Sequence, residues 1–274
     1  KNEEKGRHEI PRRLGRRLLW VGHAMRTRFR FRIDLAMQIV STLVDITIRL
    51  AIWRLVLGDA EADNVSYLDM IAYTMVGTVV QALTWSSPAP LIARKVADGS
   101  IAYDMVKPVN LNVYFLCVTI GNTISDFALR VVPSVALATL FFGVGSLQPT
   151  PTDIILFVLL SAVGFFSFVA WEIILALLGF WLADSWWVGT LSRALMRLFG
   201  GTFVPLWFFP AFLGQIAAYT PFRFMYFVPT AAAMGKLEAP LATLCLGLAW
   251  AVGLWLILGW IWVQLRKRIL IFGG

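Results

Sequence analysis

Six long apolar stretches run through this chain, near 34–57, 68–87, 111–142, 154–183, 191–213 and 241–263, and they leave it few ways to fold. A hydrocarbon core about 30 Å thick needs about 20 apolar residues of helix to cross it. In lipid every backbone amide must be satisfied within the protein, so the expected class is an all-α polytopic membrane protein. A charged fraction of 15% and a mean hydropathy of +0.74 agree with this, since soluble domains carry roughly 25% charge. The third and fourth stretches exceed a perpendicular crossing, so tilt or a kink is expected, with Pro133 the kink site.

Charge then sets the expected topology. Of 24 Lys and Arg, eleven fall in Lys1–Arg32. Most of the rest lie in the Pro90–Asn110 connection, at Arg193 and Arg197, and in Arg266-Lys267-Arg268. The alternate connections, Gly58–Tyr67, Gly143–Asp153 and Gln215–Pro240, carry only Arg223 and Lys236. By the positive-inside rule both termini and the Pro90–Asn110 connection are cytoplasmic. The net charge of +8 is thus accounted for by topology, and no nucleic-acid partner is expected. Within Pro11–Arg30, Leu14, Leu18, Val21, Met25 and Phe29 share one helical face, with Arg12, Arg16, His23, Arg26 and Arg30 opposite. Such a helix lies in the headgroup plane against membrane lipid. The expected organisation is a cytoplasmic tail and interfacial helix over 1–33, a six-span domain over 34–263, and a cytoplasmic tail over 264–274.

Several ionisable groups fall inside the spans. Gln38, Ser41, Thr42, Asp45 and Arg49 share a face of the first, Asn122, Asp126 and Arg130 repeat the pattern in the third, and Glu172 stands in the fourth. A charge at mid-bilayer costs at least about 2.5–3.5 kcal/mol, so these groups must face the bundle, a cavity or each other. Two readings stay open: ion pairs that fix helix packing, or a substrate or proton path. Glu172 has no partner in its own helix and is expected to pair with Arg49 or Arg130, or to be protonated.

Two connections stand out. In the island Pro90–Asn110, residues 89–97 read as a short helix, Asp98-Gly99-Ser100 as a turn, and 101–106 as a second short helix ended by Lys107-Pro108. It is either a polar loop or a docking element for a soluble partner. The segment from Gly200 to Gly235 places Pro205 and Pro210 in the outer half of the fifth span, and stays apolar from 214 to 240 without the length to cross twice. That pattern fits short re-entrant or interfacial helices on the outer face.

The sequence has no GxxxxGK[ST] phosphate loop, no HExxH, no GxSxG elbow and no paired Cys or His cluster. An enzyme is not expected, and neither is a bound metal or cofactor. Cys117 and Cys245 both sit in apolar runs and suggest neither a disulfide framework nor a zinc site.

Two segments carry a family resemblance. Val96-Ala-Asp-Gly-Ser-Ile-Ala-Tyr-Asp-Met-Val-Lys-Pro-Val-Asn110, and Gly200-Gly with Val204-Pro, Phe209-Pro, Thr220-Pro-Phe222 and Gly235, resemble patterns of the membrane subunit of ATP-binding-cassette exporters of the second permease type. The likeness is to the six-span branch with an N-terminal interfacial helix, and it extends from Arg12 to Arg268. It implies a permease of the bacterial plasma membrane that dimerises with a copy or a sister chain. Each half would sit on a separate ATPase subunit, which alone holds ATP and Mg, and would export a drug, lipid, peptide or lipid-linked glycan. It further implies that Leu91, Ile92, Val96 and Gly99 serve docking and turn roles, with Arg94 and Lys95 as contacts to the ATPase. Asp45 and Arg49 would face the bundle, and Pro205, Pro210, Pro221 and Phe222 would form an outer-face gate. The competing readings are an ATP-independent channel or secondary transporter working through Asp126, Arg130 and Glu172, and a structural membrane scaffold.

Overall fold

A computed structural model describes residues 32–58, 65–106, 110–178 and 186–272. The Pro11–Arg30 amphipathic segment and Lys107-Pro108-Val109 lie outside the described residues. Among the described residues every element of regular secondary structure is a helix. The first span is α1 (Arg32–Leu57), followed by α2 (Tyr67–Trp85), the short α3 (Ala89–Ala97) and α4 (Ile101–Val106). The third span is α5 (Leu111–Asp126), a π-helical turn (Phe127–Val131) and α6 (Val132–Phe142). Then come α7 (Pro151–Leu178), α8 (Trp186–Phe199), α9 (Ala211–Ala218), α10 (Phe227–Ala233) and α11 (Pro240–Phe272). Segments 33–57, 111–142, 151–178 and 240–265 are long and apolar enough to cross a membrane.

α2 has 19 residues and is the most enclosed of the long helices, with Asp69 to Thr78 buried in an unbroken run. That enclosure lets it carry Thr74 and Thr78, whose hydroxyls donate to the carbonyls one turn back (2.7 and 2.8 Å). In hydrocarbon an unsatisfied hydroxyl would have no such outlet. Its N-terminus is a capping box, in which the Asp69 amide donates to Ser66 Oγ (3.2 Å) and the Ser66 amide donates to Asp69 Oδ2 (2.9 Å). Asn110 caps α5 through bonds accepted from the amides of Asn112 and Val113 (3.1 and 3.4 Å).

The long third span is irregular just ahead of Pro133. It widens one turn earlier into the π-helical stretch 127–131, and the Val132 amide reaches the Phe127 carbonyl. Pro133 has no amide to give, and its ring crowds the carbonyl four residues back, so a wider turn relieves both problems.

The fifth crossing, expected over 191–213, is not one helix. α8 stops at Phe199, Gly201 takes a φ of +75°, and the chain runs irregularly to a 3-10 turn at Leu206–Phe208 and on to α9. Gly201 adopts a left-handed φ that a branched side chain resists, and Pro205 and Pro210 cannot continue a ladder. The last helix, by contrast, does not end at Val263 but continues to Phe272, with no Gly or Pro between those two residues to stop it.

α7 is the axis of the bundle, packed on α11, α10 and the 3-10 turn Pro221–Met225, with α3 against its C-terminal part. Between α9 and α10 the chain dives deep into the bundle. Phe222 meets Trp171 edge-on at 5.0 Å and stacks on Phe199 at 6.4 Å, while Gly235 lies beside Asp153. Asp153 and Trp171 are near opposite ends of α7, so this segment spans more than half the helix. A Cβ on Gly164 would stand 2.2 Å from the Phe224 carbonyl; only glycine lets the two backbones approach so closely.

Candidate functional site

The irregular stretch 200–210 leaves carbonyls without helical partners inside the bundle, and side chains of α1 and α2 supply them. Tyr73 donates its hydroxyl to the Gly201 carbonyl (2.7 Å), and Arg49 donates Nη1 to the Thr202 carbonyl (2.9 Å). The Phe227 amide reaches the Gly200 carbonyl (3.0 Å). Arg49 is oriented by Asp45 at 2.8 Å, contacts the Tyr226 hydroxyl at 3.3 Å, and lies over the Phe203 ring. The i,i+4 pair Asp45–Arg49 therefore does more than neutralise charge. It caps a broken helix with a charged donor, which is how non-helical backbone is tolerated at membrane depth.

Beside this group lies a cavity of about 390 Å³. Gln38, Ser41, Thr42, Asp45 and Arg49 of α1 all line it, which places the polar face read from the sequence on one wall. Gln81, Thr84 and Trp85 of α2, Arg130, Phe168 and Glu172, and Ser192, Arg193 and Arg197 of α8 complete it. Arg130 sits 4.3 Å from the centre of the Trp85 ring and donates to Thr42 Oγ1 at 3.4 Å. Asp126 accepts a hydrogen bond from Ser86 just outside the wall, and Asn122 is half-buried away from it. Gln38 also donates to Asp34 at 2.9 Å.

Glu172 pairs with neither Arg49 nor Arg130. It accepts hydrogen bonds from Ser87 and Ser192, and Ser192 also accepts from Trp171 Nε1 (3.2 Å). Ser87 Oγ in turn accepts the Ala89 amide at 3.0 Å, at the start of α3. The carboxyl thus ties three elements together: α7 that bears it, α8 through Ser192, and the entrance to α3 through Ser87. Neither serine stands out in the sequence, because single Ser residues in apolar runs are common and carry no spacing signal.

α3 and α4 form a stiff elbow. Gly99 turns between them with φ +72°, and open space surrounds its Cα. Asp98 caps the turn by accepting the Ser100 amide (2.9 Å), and its bonds to Ser100 hold its carboxyl below the usual range. A Lys95–Asp104 ion pair staples the two helices across the turn. Leu91 and Arg94 are exposed on the outer surface, while Lys95 is half-buried in its pairing. Ile92 is fully buried in the core cluster with Phe115, Phe168 and Ile173, and Val96 packs against the same cluster. Ile92 therefore anchors the elbow from beneath and does not face outward, with Val96 partly buried beside it, as the apolar stripe of an amphipathic helix seats it on α7.

The residues expected at an outer-face gate fall in two places. Phe222 is buried between Trp171 and Phe199, and Pro221 is buried beside it, both deep in the bundle. Pro205 and Pro210 each precede a helical turn, Leu206–Phe208 and Ala211–Ala218 respectively. Near them Trp207 and Phe208 pack on Tyr73 and Trp53. At this end of the bundle a polar latch closes the structure, with Asp69 bonded to Ser146 (2.5 Å) and Lys236 (2.7 Å). Among the described residues no three His, Cys, Asp or Glu side chains gather where a metal could be held.

No curated protein and no solved structure matches the chain. Residues 43–269 match the family described as ABC-2 family transporter protein, a stretch that takes in α2 to α10 and most of α1 and α11. With its bundle of membrane-crossing helices, the chain belongs to the ABC-2 transporter family as a multi-pass permease component of an ABC transporter.

Proposed function

We propose that this permease is the membrane half of an ATP-driven exporter, working as a dimer in a bacterial plasma membrane with both termini cytoplasmic. ATP and Mg bind a separate ATPase subunit, which docks on the α3–α4 elbow and moves it. The observation that carries this reading is the chain of contacts from elbow to cavity. The elbow presents Leu91 and Arg94 outward, sits on α7 through Ile92, and is joined through Ser87 to Glu172 on the cavity wall. A rigid displacement of α3 would reach the cavity through that link, because packed interfaces transmit shifts as units. The charge bias of the sequence puts the elbow on the side where an ATPase would be found. A cavity of about 390 Å³ with Phe168, Trp85 and Phe203 among its polar groups suits a drug-sized amphipathic substrate.

The test is transport by the permease co-expressed with its ATPase in inverted membrane vesicles. Accumulation of an amphipathic dye should depend on ATP. Glu172→Gln, which alters the carboxyl holding Ser87 and Ser192, should reduce dye uptake several-fold while ATP hydrolysis continues. Transport that persists in vesicles lacking any nucleotide-binding subunit would instead establish a channel or secondary transporter.

A further inference from the structure

Basic side chains outnumber acidic ones on the cavity wall. Arg49, Arg130, Arg193 and Arg197 line it against two carboxylates, Asp45 and Glu172. Both acids are already engaged: Asp45 holds Arg49, and Glu172 is held by Ser87 and Ser192. Arg193 and Arg197 stand one turn apart on α8, and among the described residues neither has a carboxylate within ion-pair distance. Two like charges at i,i+4 repel each other. The positive-inside rule accounts for basic residues at this end of the bundle, but it does not require them to line a cavity together.

We infer that this cavity takes the anionic head of an amphiphile, a phosphate or carboxylate joined to an apolar tail. Arg197 lies over the Phe203 ring at 5.6 Å, and Arg49 is 5.2 Å from the centre of the same ring. A guanidinium stacked on an aromatic face keeps its N–H donors at its edge, where they meet a planar or tetrahedral oxyanion in bidentate fashion. Phe168, Trp85 and Met196 line the same space and offer the tail an apolar surface. A cationic amphiphile would find like charge at Arg193 and Arg197 and no unengaged carboxylate. This inference deepens the exporter reading by naming its substrate class, and it rests on that reading for the step from binding to transport.

The experiment uses the purified full-length permease in phosphatidylcholine nanodiscs, without ATPase or nucleotide, so that binding is measured apart from coupling. Pyrenebutyrate and pyrenebutylammonium serve as matched probes of opposite charge, read by fluorescence anisotropy. Wild type should bind the carboxylate roughly tenfold or more tightly than the ammonium. Arg193→Gln with Arg197→Gln should abolish that preference, and Arg197→Lys should keep most of it; gel filtration reports whether each variant is folded. Competition by added phosphatidylglycerol would mark the natural anion as a bilayer lipid head, and no competition would mark it as a soluble amphiphile. Equal affinity for the two probes, or a preference unchanged in the double variant, would overturn the inference. Anion preference in a permease that never engages an ATPase would leave this site standing and remove the exporter reading alone.

Discussion

Arg49 shows how an ionisable side chain can be kept inside a membrane bundle. It gives one donor to a carbonyl the broken helix has abandoned, another to Tyr226, and its charge to Asp45. Arg49→Gln should therefore weaken the fold, by about 2 kcal/mol and not the 3–5 kcal/mol of a fully buried pair. The Asp45 side chain is 42% exposed toward the cavity and can be solvated once its partner is gone. Thermal unfolding in detergent would measure this, and Asp45→Asn should cost less than Arg49→Gln because the bond to Thr202 survives. The sequence makes the Asp45–Arg49 pair legible, since opposite charges one turn apart in an apolar helix offset each other's cost of burial. Tyr73 and Tyr226 are not legible, because a buried Tyr reveals its hydroxyl partner only when a distant backbone arrives beside it.

At the scale of elements, the two short helices of the elbow and the broken crossing make a contrast. The elbow's inner boundaries can be read from Pro88, Asp98 and Gly99, since each limits the backbone locally. The break after Phe199 is hidden because hydropathy counts Phe203 to Phe209 as apolar whether or not they are helical. The depth of Phe222 is hidden for the same reason, as an apolar hairpin looks alike lying on the surface or plunged against Trp171. Gly164→Ala should destabilise by about 1–3 kcal/mol, the range for overpacking against a backbone that cannot step aside. Chemical denaturation in mixed micelles would measure it, and an unchanged midpoint would place the Phe224 backbone elsewhere. Gly99→Pro should act differently. Its Cα has open space around it, so insertion and yield should hold, yet a φ of +72° is closed to proline. The elbow must then reshape, and ATP hydrolysed per substrate moved should rise several-fold in the coupled complex.

Across the whole molecule, an outward-facing elbow, a carboxyl hub at Glu172 and a basic cavity form a single line of contacts. The fold class was open to sequence reading because lipid punishes every unpaired amide. The cavity was only half open to it. The face from Gln38 to Arg49 announced itself by periodicity, but the opposing wall from α8 depends on how three helices meet. If force enters the permease at the elbow, the elbow must hold the ATPase. The tagged permease, expressed with its ATPase and purified in mild detergent, should carry ATP hydrolysis with it in stoichiometric amount. Leu91→Asp with Arg94→Glu should lower that co-purified activity at least tenfold, because both exposed positions change sign or polarity while Ile92 still seats the helix. Full ATPase recovery with the double variant, from a permease of normal yield and size, would show that the ATPase docks elsewhere.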